Sequence, residues 1–83
     1  MKKVKYHQLI SVLKDLKFKE IPLGSQHSIF RHIKGAQIVL KHLRKTDYVP
    51  IQVLANARRT VLVHGIASNV KFNELVDNII AYS

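Results

Sequence analysis

Five histidines and fourteen Lys and Arg residues carry most of the reactive chemistry of this 83-residue chain. One histidine has an unusual setting. The stretch "LGSQHSIFRHIKG" (23–35) delivers His27 directly after a small-residue turn, at the first position of a run rich in β-formers. Arg31 and His32 follow on that run, and Lys41 and His42 end the next one. Gly24 lets the backbone of a ligand approach closely. RNA cleavage by transesterification needs one group to take the 2′-OH proton and one to protonate the leaving 5′-oxygen. It also needs cations facing the charge that builds on phosphorus. Imidazole, with an ordinary pKa of about 6.5, takes either proton role at neutral pH. Lys and Arg supply the positive charge, so no metal or other cofactor is required. The same parts also suit an RNA-binding module that performs no reaction.

The other candidates are weaker. His7 falls on the polar side of a helical pattern, and His64 near a helix C-terminus, where positive charge is favourable. With no cysteine and scattered acids, the chain has no metal-ligand cluster in its sequence. Ser25 and Ser28 flank His27, but neither lies on a recognisable nucleophile elbow.

Charge points to a partner class. Fourteen basic residues face five acidic ones, a net of +9. Residues 1–59 hold thirteen of the basic residues against Asp15, Glu20 and Asp47, a net of +10; residues 60–83 carry a net of −1. A polyanion is the expected partner, met by the first two-thirds of the chain. A membrane is not expected: no apolar run approaches the roughly 18 residues needed to span a bilayer. The start "MKKVKYHQLI" lacks the long apolar stretch of a signal peptide. The lack of cysteine fits a reducing cytoplasm.

The elements that must position His27 follow from periodicity. Residues 5–17 place Tyr6, Leu9, Leu13 and Leu16 at helical spacing. Residues 18–22 read as a short strand ending at Pro22, with Gly24-Ser25 as the turn. Residues 27–33 form a second strand, and Lys34-Gly35 a tight connection to a third at 36–42. Ile29 and Ile33 claim one face of the second strand and Phe30 the other, so its core side is open to either choice. Residues 43–47 are a basic loop in which Asp47 can cap the next helix, and Pro50 suits that helix's first turn. Ile51, Leu54, Ala57 and Val61 then recur helically to about His64, and Gly65 suits a left-handed stop. Ser68 or Asn69 starts a last helix with Phe72, Leu75, Val76, Ile79 and Ile80 on one face. The expected fold is a single α+β domain over residues 1–83, ordered α-β-β-β-α-α. It is a three-stranded antiparallel meander with helices on one face and the other face wet.

The motif "GSQHSIFRHIKG" resembles the signature of the HicA family of toxin–antitoxin toxins. In that family a glycine and a small residue precede a histidine, an aromatic follows three positions later, and a basic hairpin closes at glycine. Here these are Gly24, Ser25, His27, Phe30, Arg31, His32 and Gly35. The leading "LKDLKFKEI" and the trailing "GIASNVKFNELV" agree as well, so the resemblance covers nearly the whole chain. Gln26 makes the turn one residue longer than is common in the family. The resemblance implies a fold like the double-stranded-RNA-binding domain and a small ribonuclease acting on translated mRNA. It further implies that a HicB-type antitoxin silences the toxin in a hetero-oligomeric complex. The catalytic role falls on His27. Gly24 and Ser25, which shape its turn, are candidates for RNA contacts together with Arg31, Lys41 and His42.

Overall fold

In the computed structural model, which describes residues 3–82, the elements are α1 (Tyr6–Asp15), β1 (Lys19–Leu23), β2 (His27–Arg31), β3 (Gln37–Lys41), α2 (Ile51–Val63) and α3 (Asn69–Tyr82). The three strands form one antiparallel sheet in the order β1-β2-β3. The α+β meander read from the sequence is therefore the observed fold.

Alternation along the strands decides which face is core. Phe30, Ile38 and Leu40 point to the helices and are buried with Leu9, Val12 and Leu13 of α1, Leu54, Ala57 and Val61 of α2, and Phe72 and Val76 of α3. The inward position on β2 falls to Phe30. Ile29 lies on the opposite face, and Ile33 is 97 % exposed in the connection to β3. That connection spans residues 32–36 rather than two, because His32 N–H donates to the Ala36 carbonyl and Gly35 N–H to the His32 carbonyl. Three cross-strand rows make up the uncovered face: Leu23, His27 and Lys41; Ile21, Ile29 and Val39; Lys19, Arg31 and Gln37. β1 is an edge strand. Pro22, which cannot donate to a further strand, and the inward-pointing Glu20 both discourage pairing with another chain there.

The basic segment after β3 has a structural task that its composition hides. No side chain caps α1 through an oxygen at Lys5, although Gln8 Oε1 accepts the Lys5 N–H at 2.8 Å. The first-turn donors turn instead to the segment: Tyr6 N–H to the Asp47 carbonyl (2.8 Å) and His7 N–H to the Lys45 carbonyl (3.2 Å). Val49 N–H to the Val4 carbonyl completes the seam. Asp47 does not cap α2, which begins after Pro50 with no side-chain cap. Its carboxylate is held by Arg44, through the backbone N–H at 3.2 Å and the guanidinium at 3.3 Å. Ile51, read as part of the apolar stripe of α2, is exposed at its first position. Ser68 caps α3 by accepting the Lys71 N–H.

Helix α1 ends in a Schellman motif: Phe18 N–H donates to the Leu13 carbonyl and Lys17 N–H to the Lys14 carbonyl. The motif puts the residue after the C-cap in the left-handed region, a position normally taken by glycine. Here it is Lys17, at φ 73°, the one non-glycine described residue with positive φ. Lys17→Gly is therefore expected to raise stability by about 0.5–1 kcal/mol, after allowing for the extra freedom glycine gives the unfolded chain. A urea titration reads this as a higher midpoint; a lower midpoint would contradict the strain assigned to Lys17.

Candidate functional site

His27 is delivered by a three-residue turn, Gly24–Gln26, between β1 and β2. Gly24 sits at φ 70° with open space where a side chain would stand, so conformation rather than space calls for glycine. His27 then pairs with Leu23 on one side and Lys41 on the other, at the end of the uncovered sheet face. The ring is half-buried and makes no hydrogen bond to any described residue. Its nitrogens are thus available to a ligand lying on that face, with the Lys41 ammonium stem beside them.

The turn is clamped from the other side of the sheet. His42, one residue past β3, donates its backbone N–H to the Gln26 carbonyl at 2.7 Å. Its ring Nδ1 lies 3.2 Å from the Ser25 carbonyl. A carbonyl only accepts, so Nδ1 carries a proton. The ring's Nε2 meets Ser28 Oγ at 2.7 Å, and Ser28 Oγ donates to Glu20 Oε2 at 3.0 Å. Ser28 is fully buried, and Lys14 approaches the other Glu20 oxygen at 3.9 Å. Burial, and then the Glu20 carboxylate, push the Tyr6 phenol up from its ordinary value of 10.0, so it holds its proton through the physiological range.

Glu20, Ser28 and His42 share a residue set with hydrolytic triads but not the wiring. In a triad the acid orients the imidazole and the imidazole activates the serine. Here acid and imidazole both hold the serine, which no substrate can reach. The cluster is a brace.

The residues singled out in the sequence do not all converge. Gly24, Ser25, His27, Lys41 and His42 share one end of the sheet. Both His42 nitrogens are engaged within the protein, so its contribution is to the turn and not to a phosphate. Arg31 lies four residues further along β2, roughly 13 Å away by strand rise. A phosphate it meets is different from one beside His27. His32 is buried, its Nδ1 accepting the Lys34 N–H and its ring standing edge-on to Phe18 at 5.0 Å. His64 closes α2, with Nδ1 at 3.0 Å from the Thr60 carbonyl. Glu20 as part of the brace escaped the sequence reading, although an acid at a core-facing strand position is itself a signal of a buried partner. Among the described residues no three His, Cys, Asp or Glu side chains gather as metal ligands. No described helix is long and apolar enough to cross a membrane.

Ser28→Ala removes the hydroxyl joining His42 to Glu20 and leaves the exposed imidazole and the part-buried carboxylate to water. A loss of about 0.5–1.5 kcal/mol of unfolding free energy is expected. Hydrogen exchange at the His42 amide should speed up with it; unchanged stability and exchange would mean that the brace holds nothing.

Compared with known proteins, the chain matches no protein-family model, no curated protein and no solved structure.

Proposed function

We propose that this protein is a metal-independent endoribonuclease of the HicA toxin kind, acting on mRNA to halt translation and growth in the cytoplasm, and silenced by a HicB-type antitoxin. The observation that carries the reading is the free, half-buried His27 imidazole at the end of a wet sheet face beside Lys41. It stands on the glycine turn that the family resemblance designates. The charge of the chain supports the substrate class: RNA is the polyanion that a net of +10 over residues 1–59 would attract.

In this reading an RNA strand lies on the uncovered face with a scissile phosphate between His27 and Lys41. The 2′-oxygen attacks phosphorus as the bond to the 5′-oxygen breaks. His27 removes the 2′-OH proton while water protonates the departing 5′-oxygen, or His27 protonates the 5′-oxygen while water takes the 2′-OH proton. Lys41 faces the charge that grows on the non-bridging oxygens. The products are a 2′,3′-cyclic phosphate and a free 5′-hydroxyl. Gly24, Ser25 and His42 act by holding the turn, so that the ring meets the strand in one geometry.

One observation favours a second reading, an RNA-binding module without catalysis. Among the described residues, the one other titratable group on the uncovered face at this end of the sheet is the Lys41 ammonium; Glu20 and His42 belong to the brace. His27 therefore has no carboxylate and no second imidazole beside it on that face.

Expression of the wild type and of His27→Ala in a growth assay, with labelled RNA incubated in chelator alongside, separates the readings. The nuclease reading expects growth arrest and cleavage by the wild type, with the rate falling by about 10²-fold or more in the alanine variant. Equal toxicity of the two, or a shifted but intact RNA band from the wild type, would contradict it.

A further inference from the structure

At the end of the uncovered face opposite His27, a shallow cleft of about 300 Å³ is lined by Lys17, Lys19, Ile21, Arg31, His32 and Ile33. Three cations converge there with no acid in the lining. Among the described residues none of the three has an ion-pair partner: the pairs run between Lys14 and Glu20 and between Arg44 and Asp47. Bringing like charges together without a counterion is unfavourable. His32 adds a directed donor. Its Nδ1 accepts the Lys34 N–H, so the proton of the neutral ring sits on Nε2. No described residue accepts a hydrogen bond from Nε2, and His32 is one of the residues lining the cleft.

The backbone gives a second, independent observation. Lys17 occupies the left-handed position of the α1 Schellman motif at φ 73°, where glycine is the relaxed residue. Its side chain is held at the cleft at a conformational cost. Strain kept at a charged surface residue is what a binding role would retain and stability alone would not.

We propose that the Lys17–Lys19–Arg31 cleft binds a backbone phosphate of single-stranded RNA, several strand residues along the sheet from His27. An anion of tetrahedral oxygens suits a fork of one guanidinium and two ammonium groups, with His32 Nε2 as a fourth donor. Between the two ends lies the aliphatic row Ile21, Ile29 and Val39, against which bases can rest. The substrate is thus held at two separated phosphates, one reacting and one anchoring. The proposal rests on the reading of this face as an RNA surface, but it concerns binding and not cleavage.

The test is fluorescence anisotropy with a labelled 2′-O-methyl oligoribonucleotide of eight residues, which cannot be cleaved by transesterification. The variants are Lys17→Gly, Arg31→Gln and, as a charge-matched control on α3, Lys71→Gln. Lys17→Gly is expected to raise the melting temperature while weakening binding by roughly three- to tenfold at low salt. The slope of log affinity against log salt should shrink by about 0.7, because one phosphate fewer is neutralised. Arg31→Gln should weaken binding alike, and Lys71→Gln should leave it nearly unchanged. Unchanged affinity and slope in Lys17→Gly would overturn the proposal, as would an equal loss in Lys71→Gln or no binding by the wild type. A poly-glutamate peptide captured in a Lys17-dependent way, in place of RNA, would assign the cleft to an acidic protein and overturn it too. Binding with the expected Lys17 dependence by a wild type that leaves natural RNA intact would uphold the cleft while refuting the nuclease.

Discussion

The hold of His42 on the Gly24–Gln26 turn is the constraint on which the site depends. One residue supplies two bonds to consecutive carbonyls, 2.7 Å from the backbone and 3.2 Å from the ring. A three-residue turn closed by a left-handed glycine has several ways to lie, and His27 moves with it. The ring that closes the turn is in turn fixed by a buried serine and a carboxylate. The path from core to surface is therefore short: Glu20 and Ser28 set His42, His42 sets the turn, and the turn aims His27. A network anchored on one buried hydroxyl adds rigidity that apolar contacts, being non-directional, do not.

The sheet divides the work between its faces. The side under the helices holds the apolar core and the brace; the other side holds the His27 imidazole, an aliphatic row and cations that have no ion-pair partner among the described residues. A small domain has little stability in reserve, and this one uses no disulfide to add to it. It nonetheless keeps Lys17 in a backbone state that favours glycine. The basic segment after β3 shows the reverse case. It looks like a binding loop, yet its carbonyls receive the first N–H groups of α1, and Arg44 is tied to Asp47. Positive charge alone does not separate the two roles; what each cation is bonded to does.

Much of the fold was legible in the sequence because it is written at short range. The helical spacing of Leu9 and Leu13, the stop at Gly65 and the Ser68 start are local, and each stands where the pattern puts it. Parity was harder. With aliphatics on one side of β2 and Phe30 on the other, the outcome depended on which larger surface the helices could cover, and Phe30 went inward. The candidate site was legible in part. His27, Gly24 and Lys41 share a neighbourhood because strand pairing carries short sequence distances into space. Arg31 looked close to His27 but stands four residues along an extended strand, where nearness in sequence becomes separation in space. The brace joins positions 20, 28 and 42 across three strands, and only the register brings them together.

The central claim is that one imidazole moves protons on a ribose-phosphate chain without a metal. The most direct measurement is the end chemistry of the products, by mass spectrometry, after the protein acts in chelator on an RNA oligonucleotide and on the same sequence with single 2′-deoxy substitutions. The account predicts 2′,3′-cyclic phosphate and 5′-hydroxyl ends from the RNA, and no cleavage on the 3′ side of any deoxy position. Cleavage at deoxy positions, or products ending in 5′-phosphate and 3′-hydroxyl, would contradict it.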